Sequence, residues 1–181
     1  MKFPGKKYSR KGTKNLRIKH NIYLLIVIII LSTFISACDK QTSEETQYVP
    51  VTKFDPARDA ATDIENGILE AKRTGKRILL DVGGDWCIWC HKLDSFFKEY
   101  QDINLFLHEN FIVVKVNYSK ENKNEAVLSQ YPKAAGYPHL FVLDSDGTFL
   151  HSQNTGDLES GDHHDREKVL NFLKTWAPPF K

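Results

Sequence analysis

The chain has 181 residues, of which 41% are hydrophobic, and a formal net charge of +2. The positive excess comes from the N-terminus, because eight of the 25 Lys and Arg precede Cys38 while all 23 acidic residues lie at or after Asp39. The chain from Cys38 onward has 17 basic and 23 acidic residues, so its net charge is −6 and no basic patch remains. This balance excludes nucleic acid as a partner.

The first 37 residues have the pattern of a secretion signal, in which a basic segment is followed by an apolar run of about 14 residues beginning at Ile22. That run is shorter than the roughly 20 residues of a membrane-spanning helix. Its end, ISAC at residues 35–38, resembles the lipobox of bacterial lipoproteins. The resemblance implies cleavage before Cys38 and a lipid on its sulfur, with an uncleaved signal anchor as the alternative. We therefore expect a lipid-anchored protein of the cell envelope that faces the periplasm, and Asp39, which resembles an inner-membrane retention signal, favours the inner membrane.

Three parts of the chain are therefore predicted. Residues 1–37 are the signal peptide, and residues 38–53 are a lipidated N-terminus and flexible tether, because this stretch is polar, aperiodic and contains one proline. Residues 54–181 have the usual length of one domain.

Helical and strand patterns alternate along that domain. We expect Asp55 to cap the first helix, Asp162 to cap the last one with Asp165 in its first turn, and Leu93 and Phe97 to lie with Cys90 on the buried side of the second helix. The predicted elements are a helix in 55–76, a strand at 77–82, a helix from 87 to about 100, a helix in 103–111, a strand at 111–118, a short helix in 122–131, two strands at 139–144 and 148–153 joined by a turn, and a helix at 165–176.

This order of elements predicts the α/β fold class. The first two strands are apolar throughout, which is typical of a buried parallel pair joined by a crossover helix. The last two strands flank the turn Asp144-Ser145-Asp146-Gly147 and must be antiparallel to each other. We therefore expect a mixed sheet of four to five strands that is flanked by helices.

Cys87 and Cys90 carry the candidate chemistry. With one cysteine assigned to lipid, this single pair is too little for a disulfide scaffold. Trp86 before the pair and a predicted helix after it indicate a redox dithiol, because a thiolate is favoured at a helix N-terminus. The same cysteines with His91 also form Cys-x-x-Cys-His, the attachment signal of a c-type haem.

The segment RILLDVGGDWCIWCHKLDSFF, residues 77–97, resembles the active-site segment of thioredoxin-fold proteins. The likeness extends over roughly residues 60–177 and implies a thioredoxin-like fold. Asp81 stands in the place of that family's buried acid, and Lys115 where the family has a lysine near the acid. Tyr137-Pro138 stands where the family has a cis-proline against the dithiol.

The resemblance implies a thiol–disulfide oxidoreductase that cycles a Cys87–Cys90 disulfide, acts on proteins with disulfides or thiols, exchanges electrons with a membrane donor or acceptor, and needs no organic cofactor. Cys87 attacks, Cys90 resolves, and Asp81 with Lys115 handles the proton. The residues expected to shape the substrate surface are Trp86, Trp89, Tyr137 and Pro138.

This sequence departs from the family in informative ways. Ile88 and Trp89 replace the Gly-Pro of thioredoxin, so the direction of the redox chemistry stays open. His91 replaces the usual lysine and is expected to modulate the thiolate when it is positively charged. Tyr137 replaces the Thr or Ile that is common before the cis-proline.

Three alternatives stay open. A c-type haem would need a sixth iron ligand, and the chain's single methionine is Met1. A copper carrier would bind Cu(I) through the two thiolates and a histidine. A binding module would use the thioredoxin-like fold with an idle dithiol. His163 and His164, in the stretch GDHHDRE, are expected to be exposed rather than metal ligands, so we predict no metal site.

Overall fold

The structure is a computed structural model, and it describes residues 47–179. The predicted signal peptide, Cys38 and most of the predicted tether lie outside the described residues. Among the described helices, none combines the length and the apolar character that a membrane span requires.

Helices and strands follow one another as the sequence predicts, with one small hairpin added. Their bounds are α1 Ala60–Thr74, β1 Arg77–Gly83, α2 Ile88–Glu99, α3 Gln101–Asn110, β2 Phe111–Asn117, α4 Glu125–Leu128, β3 His139–Leu143, β4 Phe149–Asn154, β5 Glu159–Ser160, β6 His163–His164 and α5 Arg166–Trp176. A 3₁₀ turn, Thr155–Leu158, joins β4 to β5. The order confirms the α/β class.

Four strands form one mixed sheet in the order β2-β1-β3-β4. The central strand β1 is parallel to β2 and antiparallel to β3, and β3 is antiparallel to β4. The parallel pair and the hairpin are therefore as predicted. In the parallel pair, Asp81 lies opposite Lys115, which brings two residues that are distant in sequence to one place in the sheet.

The alternation of β1 divides the core between the two faces of the sheet. Ile78, Leu80 and Val82 pack on one face in a cluster that includes α1. Leu79 packs on the opposite face, in a cluster that includes Leu93 and residues of α3 and α5. Asp81 and Gly83 have the same parity as Leu79, so they point toward the face covered by α2.

Both expected helix caps are wrong by a few residues. Asp59, not Asp55, is the N-cap of α1 and accepts a hydrogen bond from the Ala61 N–H at 3.1 Å. Asp55 instead accepts from the Ala57 N–H and stabilises a turn before the helix. Asp165, not Asp162, caps α5, because the chain stays extended through the strand β6.

The buried sides of the helices also differ in detail from the prediction. In α2, Phe96 is buried together with Cys90 and Leu93, whereas Phe97 is half-buried. His164 is 3% exposed, contrary to the expectation that both neighbouring histidines face solvent. Pairing of β5 with β6 turns His164 toward α2 and leaves His163 outside.

Packed structure begins before residue 54, where we expected the domain to start. Residues 48–54, here named the strap, run along the edge strand β2. Val51 is buried and forms a parallel bridge with Val114, and the Lys115 N–H donates to the Val51 carbonyl at 3.3 Å. Phe54 ends the strap and is 5% exposed.

Candidate functional site

The two cysteines lie at the N-terminus of α2 and are joined by a disulfide. Cys87 is the N-cap, and its Sγ accepts a hydrogen bond from the Cys90 N–H at 3.1 Å. Both residues are buried, with exposed fractions of 4% and 2%. After reduction, the unpaired N–H groups and the dipole of α2 would favour a thiolate on Cys87.

The turn between β1 and α2 requires two glycines at close approaches. A Cβ atom on Gly83 would lie 2.4 Å from the Cys90 Sγ, which is far inside van der Waals contact. A Cβ atom on Gly84 would lie 2.5 Å from the Trp86 Nε1 and 3.0 Å from the Tyr118 carbonyl oxygen. The sequence GGDWC therefore lets the sheet approach the dithiol without an intervening side chain.

Behind the dithiol, three charged residues form an ion-pair network. The Lys115 Nζ donates to the Asp81 Oδ2 and to the Asp94 Oδ1, both at 2.7 Å. The side chains of Lys115 and Asp81 are 9% and 8% exposed, whereas that of Asp94 is 35% exposed. The network therefore reaches from the core toward solvent.

Burial and charge act in opposite directions in this network. Burial raises the pKa of Asp81, and the nearby charge of Asp94 raises it further, although Lys115 pulls it down. Burial by itself lowers the pKa of Lys115, but the charges and hydrogen bonds of the two carboxylates outweigh it and raise that pKa overall. Lys115 therefore keeps its positive charge, while Asp81 holds its proton more tightly than an ordinary aspartate.

Sequence reasoning missed Asp94. This residue follows Cys90 by four positions, so both lie on the same side of α2. That spacing was a usable signal, because an acid one turn after the second cysteine must lie near the face that carries Asp81.

Phe54 was also missed. It packs in one cluster with Cys87 and Cys90, and its ring centroid lies 4.2 Å from the Lys115 Nζ. No local pattern marks this residue, because it comes from the strap and meets the site only through the fold.

Pro138 is buried directly before β3, and the peptide bond between Tyr137 and Pro138 is cis, as the resemblance implied. The Pro138 carbonyl accepts a hydrogen bond from the Thr155 Oγ1 at 2.5 Å. The Tyr137 ring stacks on the Tyr118 ring with centroids 4.6 Å apart. Burial and the hydrogen bond with Tyr118 raise the pKa of Tyr137 to about 12.

Trp86 and Trp89 contact different parts of the fold. Trp86 is 60% exposed, and its indole N–H donates to the Tyr118 carbonyl at 2.7 Å. Trp89 is half-buried and meets the His164 ring edge to face, with centroids 5.6 Å apart. Ile88, between them and 65% exposed, adds an apolar surface beside the cysteines.

His91 lies on the exposed side of α2, where its Nε2 is 2.8 Å from the Asp85 carbonyl oxygen. In this position it links the first turn of the helix to the loop before it. Within residues 47–179, no three His, Cys, Asp or Glu side chains are arranged to hold a metal ion.

A cavity of about 570 Å³ adjoins the ion-pair network. Asp81, Asp94 and Lys115 all contribute to its wall, together with Tyr48 and Val51 of the strap. The ion-pair network therefore borders a space that the strap also lines.

Comparisons with known proteins agree with this geometry. The family model described as thioredoxin-like matches residues 59–145. The disulfide bond reductase DsbH of Chlamydia pneumoniae is 29% identical over 80 residues, which cover 40% of this chain and 48% of that protein. The thiol:disulfide interchange protein DsbD of Citrobacter koseri is 24% identical over 111 residues, which cover 61% of this chain and 18% of that protein. The chain thus spans less than half the length of these curated relatives.

A solved structure gives the same fold. The disulphide isomerase from Xylella fastidiosa Temecula1 superposes with a TM-score of 0.59 at 24% sequence identity. The superposition covers 70% of this chain and 97% of that one. The four-stranded sheet and its helices are therefore a thioredoxin-like fold.

Proposed function

This chain carries a thioredoxin-like domain, and from that premise we propose that it is a thiol–disulfide oxidoreductase acting on protein disulfides in the bacterial cell envelope. The observation that carries the proposal is the bonded pair Cys87–Cys90 at the N-terminus of α2. A disulfide that only braces the fold has no need of this position, whereas a reactive thiolate is stabilised by it.

The reaction begins from the reduced dithiol. The Cys87 thiolate attacks one sulfur of a substrate disulfide, a mixed disulfide forms, and the other substrate sulfur leaves as a thiolate. The Cys90 thiolate then attacks the Cys87 Sγ, which forms the Cys87–Cys90 disulfide and releases the second substrate thiolate. Two electrons pass to the substrate, and a two-electron donor at the membrane re-reduces the pair. In the reverse direction, where substrate thiols are oxidised, a two-electron acceptor at the membrane re-oxidises it.

Asp81 is the proposed proton acceptor for Cys90. Gly83 lies against the Cys90 Sγ, and Asp81 lies two residues earlier on the same face of β1. An acid of raised pKa in that position can take the thiol proton and return it on the reverse reaction. Lys115 holds the carboxylate in place, and Asp94 connects the pair to solvent.

An exposed apolar surface around the dithiol is the proposed substrate site. The backbone at Tyr137-Pro138, directly before β3, is where an extended substrate segment would align. Trp86, Trp89 and Tyr137 form its rim, and the exposed Ile88 extends it. His91 acts on the first turn of α2 through its contact with the loop.

Trapping of mixed disulfides tests the role of each cysteine. A Cys90→Ser variant retains the attacking thiol but cannot resolve, so it should accumulate mixed disulfides with envelope proteins in cells. Cys87→Ser is the matched control and should accumulate few. Equal trapping by both variants would contradict the assignment.

The reduction potential of the pair sets the direction of the chemistry. Equilibration with glutathione, followed by thiol alkylation, measures it. A value near that of thioredoxin, roughly −270 mV, indicates a reductase, which the name of the Chlamydia relative favours. A value near roughly −120 mV indicates an oxidant of exported proteins. Absence of a reversible couple would refute the oxidoreductase proposal.

Membrane attachment through Cys38 is the second half of the proposal. Support comes from the basic and apolar segments that precede the ISAC motif. A Cys38→Ser variant should lose lipid labelling and membrane retention, while its dithiol retains the wild-type potential. Retention of the lipid label after this change would refute the anchor.

A further inference from the structure

Phe54 contacts both the disulfide and the ion-pair network. Its ring is buried, packs with Cys87 and Cys90, and lies 4.2 Å from the Lys115 Nζ. A Cβ atom built on Gly83 would lie 3.1 Å from the Phe54 Cζ, so the ring also closes the space beside β1. One side chain therefore touches the disulfide, the strand that carries Asp81, and the cation that pairs with Asp81.

We propose that Phe54 is a positioning residue, whose ring face holds the Lys115 ammonium against Asp81 and thereby sets how readily Asp81 exchanges the proton of Cys90. This inference rests on the oxidoreductase function proposed above and adds a residue to it. Phe54 itself touches the cysteines but neither donates nor accepts the proton.

The hydrogen bonds of Lys115 leave room for this contact. An ammonium group has three N–H donors. Two of them go to the Asp81 Oδ2 and the Asp94 Oδ1, at 2.7 Å each. The third can point to the aromatic face, whose negative quadrupole attracts a cation. The Lys115 side chain is only 9% exposed, and partial desolvation strengthens this attraction.

The strap delivers Phe54 to this position. The Lys115 N–H donates to the Val51 carbonyl, and Val51 bridges to Val114. The backbone of Lys115 is thus fixed to the strap three residues before the strap supplies the ring. The side chain and the main chain of Lys115 are both held by one segment that lies outside the region matched by the family model.

Loss of the ring should change the ionisation of Asp81. The charged groups that face Asp81 are Lys115 on β2 and Asp94 on α2. Lys115 stabilises the Asp81 carboxylate, whereas the negative charge of Asp94 destabilises it. If the ammonium is held less firmly, the carboxylate of Asp81 loses stabilisation and its ionisation constant falls.

The test uses the full chain in detergent, oxidised at Cys87–Cys90 and labelled with ¹³C at the Asp carboxyl carbon. Titration of the Asp81 resonance gives its ionisation constant in the wild type and in two variants. Phe54→Leu retains an apolar side chain without a π face, and pentafluorophenylalanine at position 54 retains the shape but reverses the charge of the face. Both should lower the ionisation constant of Asp81 threefold or more.

The same substitutions in a Lys115→Met background provide the control. There the ring has no cation to hold, so neither change at position 54 should shift Asp81 further. An equal shift in both backgrounds would show that Phe54 acts by burial alone and would overturn the proposal. An unchanged ionisation constant in the single variants would do the same.

A second readout separates this inference from the proposed function. The Cys87–Cys90 pair lies in one tryptic peptide, residues 78–92, so its glutathione equilibrium can be followed by mass spectrometry apart from Cys38. A reversible couple in the wild type with no effect at position 54 refutes only the positioning role. A shifted Asp81 without any reversible couple refutes the oxidoreductase function and leaves the contact of Phe54 with Lys115 established.

Discussion

Asp81 is buried with one of its two carboxylate oxygens bonded to Lys115. The other oxygen, Oδ1, has no hydrogen-bond partner within residues 47–179. A buried and half-satisfied carboxylate is costly to the fold, and such groups are concentrated at functional sites. Burial of Asp81 therefore lowers the free energy of unfolding, which an exposed acid in its place would not do.

Replacement of Asp81 by Asn should therefore raise the stability of the oxidised chain at pH 7. Burial raises the pKa of Asp81, so the folded chain binds more protons than the unfolded chain between the unfolded value, about 3.9, and the higher folded value. Wild-type stability consequently falls as pH rises through that window, and that of Asp81→Asn does not. Denaturant unfolding at a series of pH values should show a difference that opens with rising pH and vanishes below about pH 4.

Activity should change in the opposite direction. Without a proton acceptor for Cys90, Asp81→Asn should slow resolution of the mixed disulfide by about 100-fold. Asp94→Asn removes the other ion-pair partner of Lys115 but leaves the buried acid in place, so this variant should not be more stable than the wild type. Lower stability of Asp81→Asn at pH 7 would mean that the ion pair with Lys115 outweighs burial.

At the scale of elements, the cap of α5 is decided by the strand before it. Asp162 and Asp165 are equally plausible caps in sequence, but residues 163–164 pair with β5 and remain extended. The Asp165 carboxylate therefore accepts the Lys168 N–H at 2.9 Å, while the Asp162 side chain faces solvent beside His163.

A matched pair of alanine variants tests this cap. Asp165→Ala should lower the free energy of unfolding by about 1 kcal/mol, because an N–H at the start of α5 loses its partner. Asp162→Ala should change it by less than about 0.5 kcal/mol. If thermal or denaturant unfolding shows a larger loss of stability for Asp162→Ala than for Asp165→Ala, Asp162 is the cap.

The small hairpin β5–β6 buries a histidine against α2. It packs His164 between Trp89 and Phe96 of α2, and neither ring nitrogen has a hydrogen-bond partner within the described residues. Burial, with Lys92 and His163 nearby, lowers the pKa of His164 to about 4. The unfolded chain therefore binds more protons than the folded chain between about pH 6.5 and 4, and stability falls as pH falls.

His164→Phe should remove this part of the acid destabilisation. The phenyl ring retains the aromatic contacts and has no proton to bind, so the variant should gain about 2–3 kcal/mol relative to wild type between pH 7 and pH 4. His163→Gln, on the exposed side of the same strand, is the control and should retain most of the acid destabilisation, because burial, the largest cause of the lowered His164 pKa, is unchanged. If the free energy of unfolding of His164→Phe falls between pH 7 and pH 4 as much as that of the wild type, His164 is solvated in the folded chain.

In the molecule as a whole, the strap adds contacts to the sheet and to the candidate site, although it lies outside residues 59–145, which the family model matches. Val51 extends the edge of β2, and Phe54 closes the dithiol cluster. The strap therefore belongs to the folded unit, although its composition is that of a tether.

Truncation tests this statement. A chain that begins at residue 47 should fold as the described structure does. A chain that begins at residue 55 loses the burial of Val51 and Phe54, at roughly 1.5–3 kcal/mol each. Its free energy of unfolding should therefore be lower by about 3 kcal/mol or more. Equal unfolding midpoints for the two chains would show that the strap contributes nothing to stability.

Local sequence patterns were enough to predict the order of the helices and of the four main strands, the mixed sheet and the position of the cysteines at the start of α2. These features depend on short-range patterns, since side-chain periodicity and turn residues act within a few positions. Resemblance to thioredoxin-fold proteins added Asp81, Lys115 and the cis bond before Pro138.

Only the tertiary structure decided what surrounds those groups. Asp94 binds Lys115, Phe54 covers it and His164 packs against Trp89, although each partner is distant in the chain. Only Asp94 carries a local signal, its spacing of one helical turn after Cys90. No local pattern distinguishes Phe54 from a tether residue or His164 from a surface histidine. Their roles arise from packing, which brings remote segments together and removes side chains from water. For His164, this burial lowers the pKa to about 4.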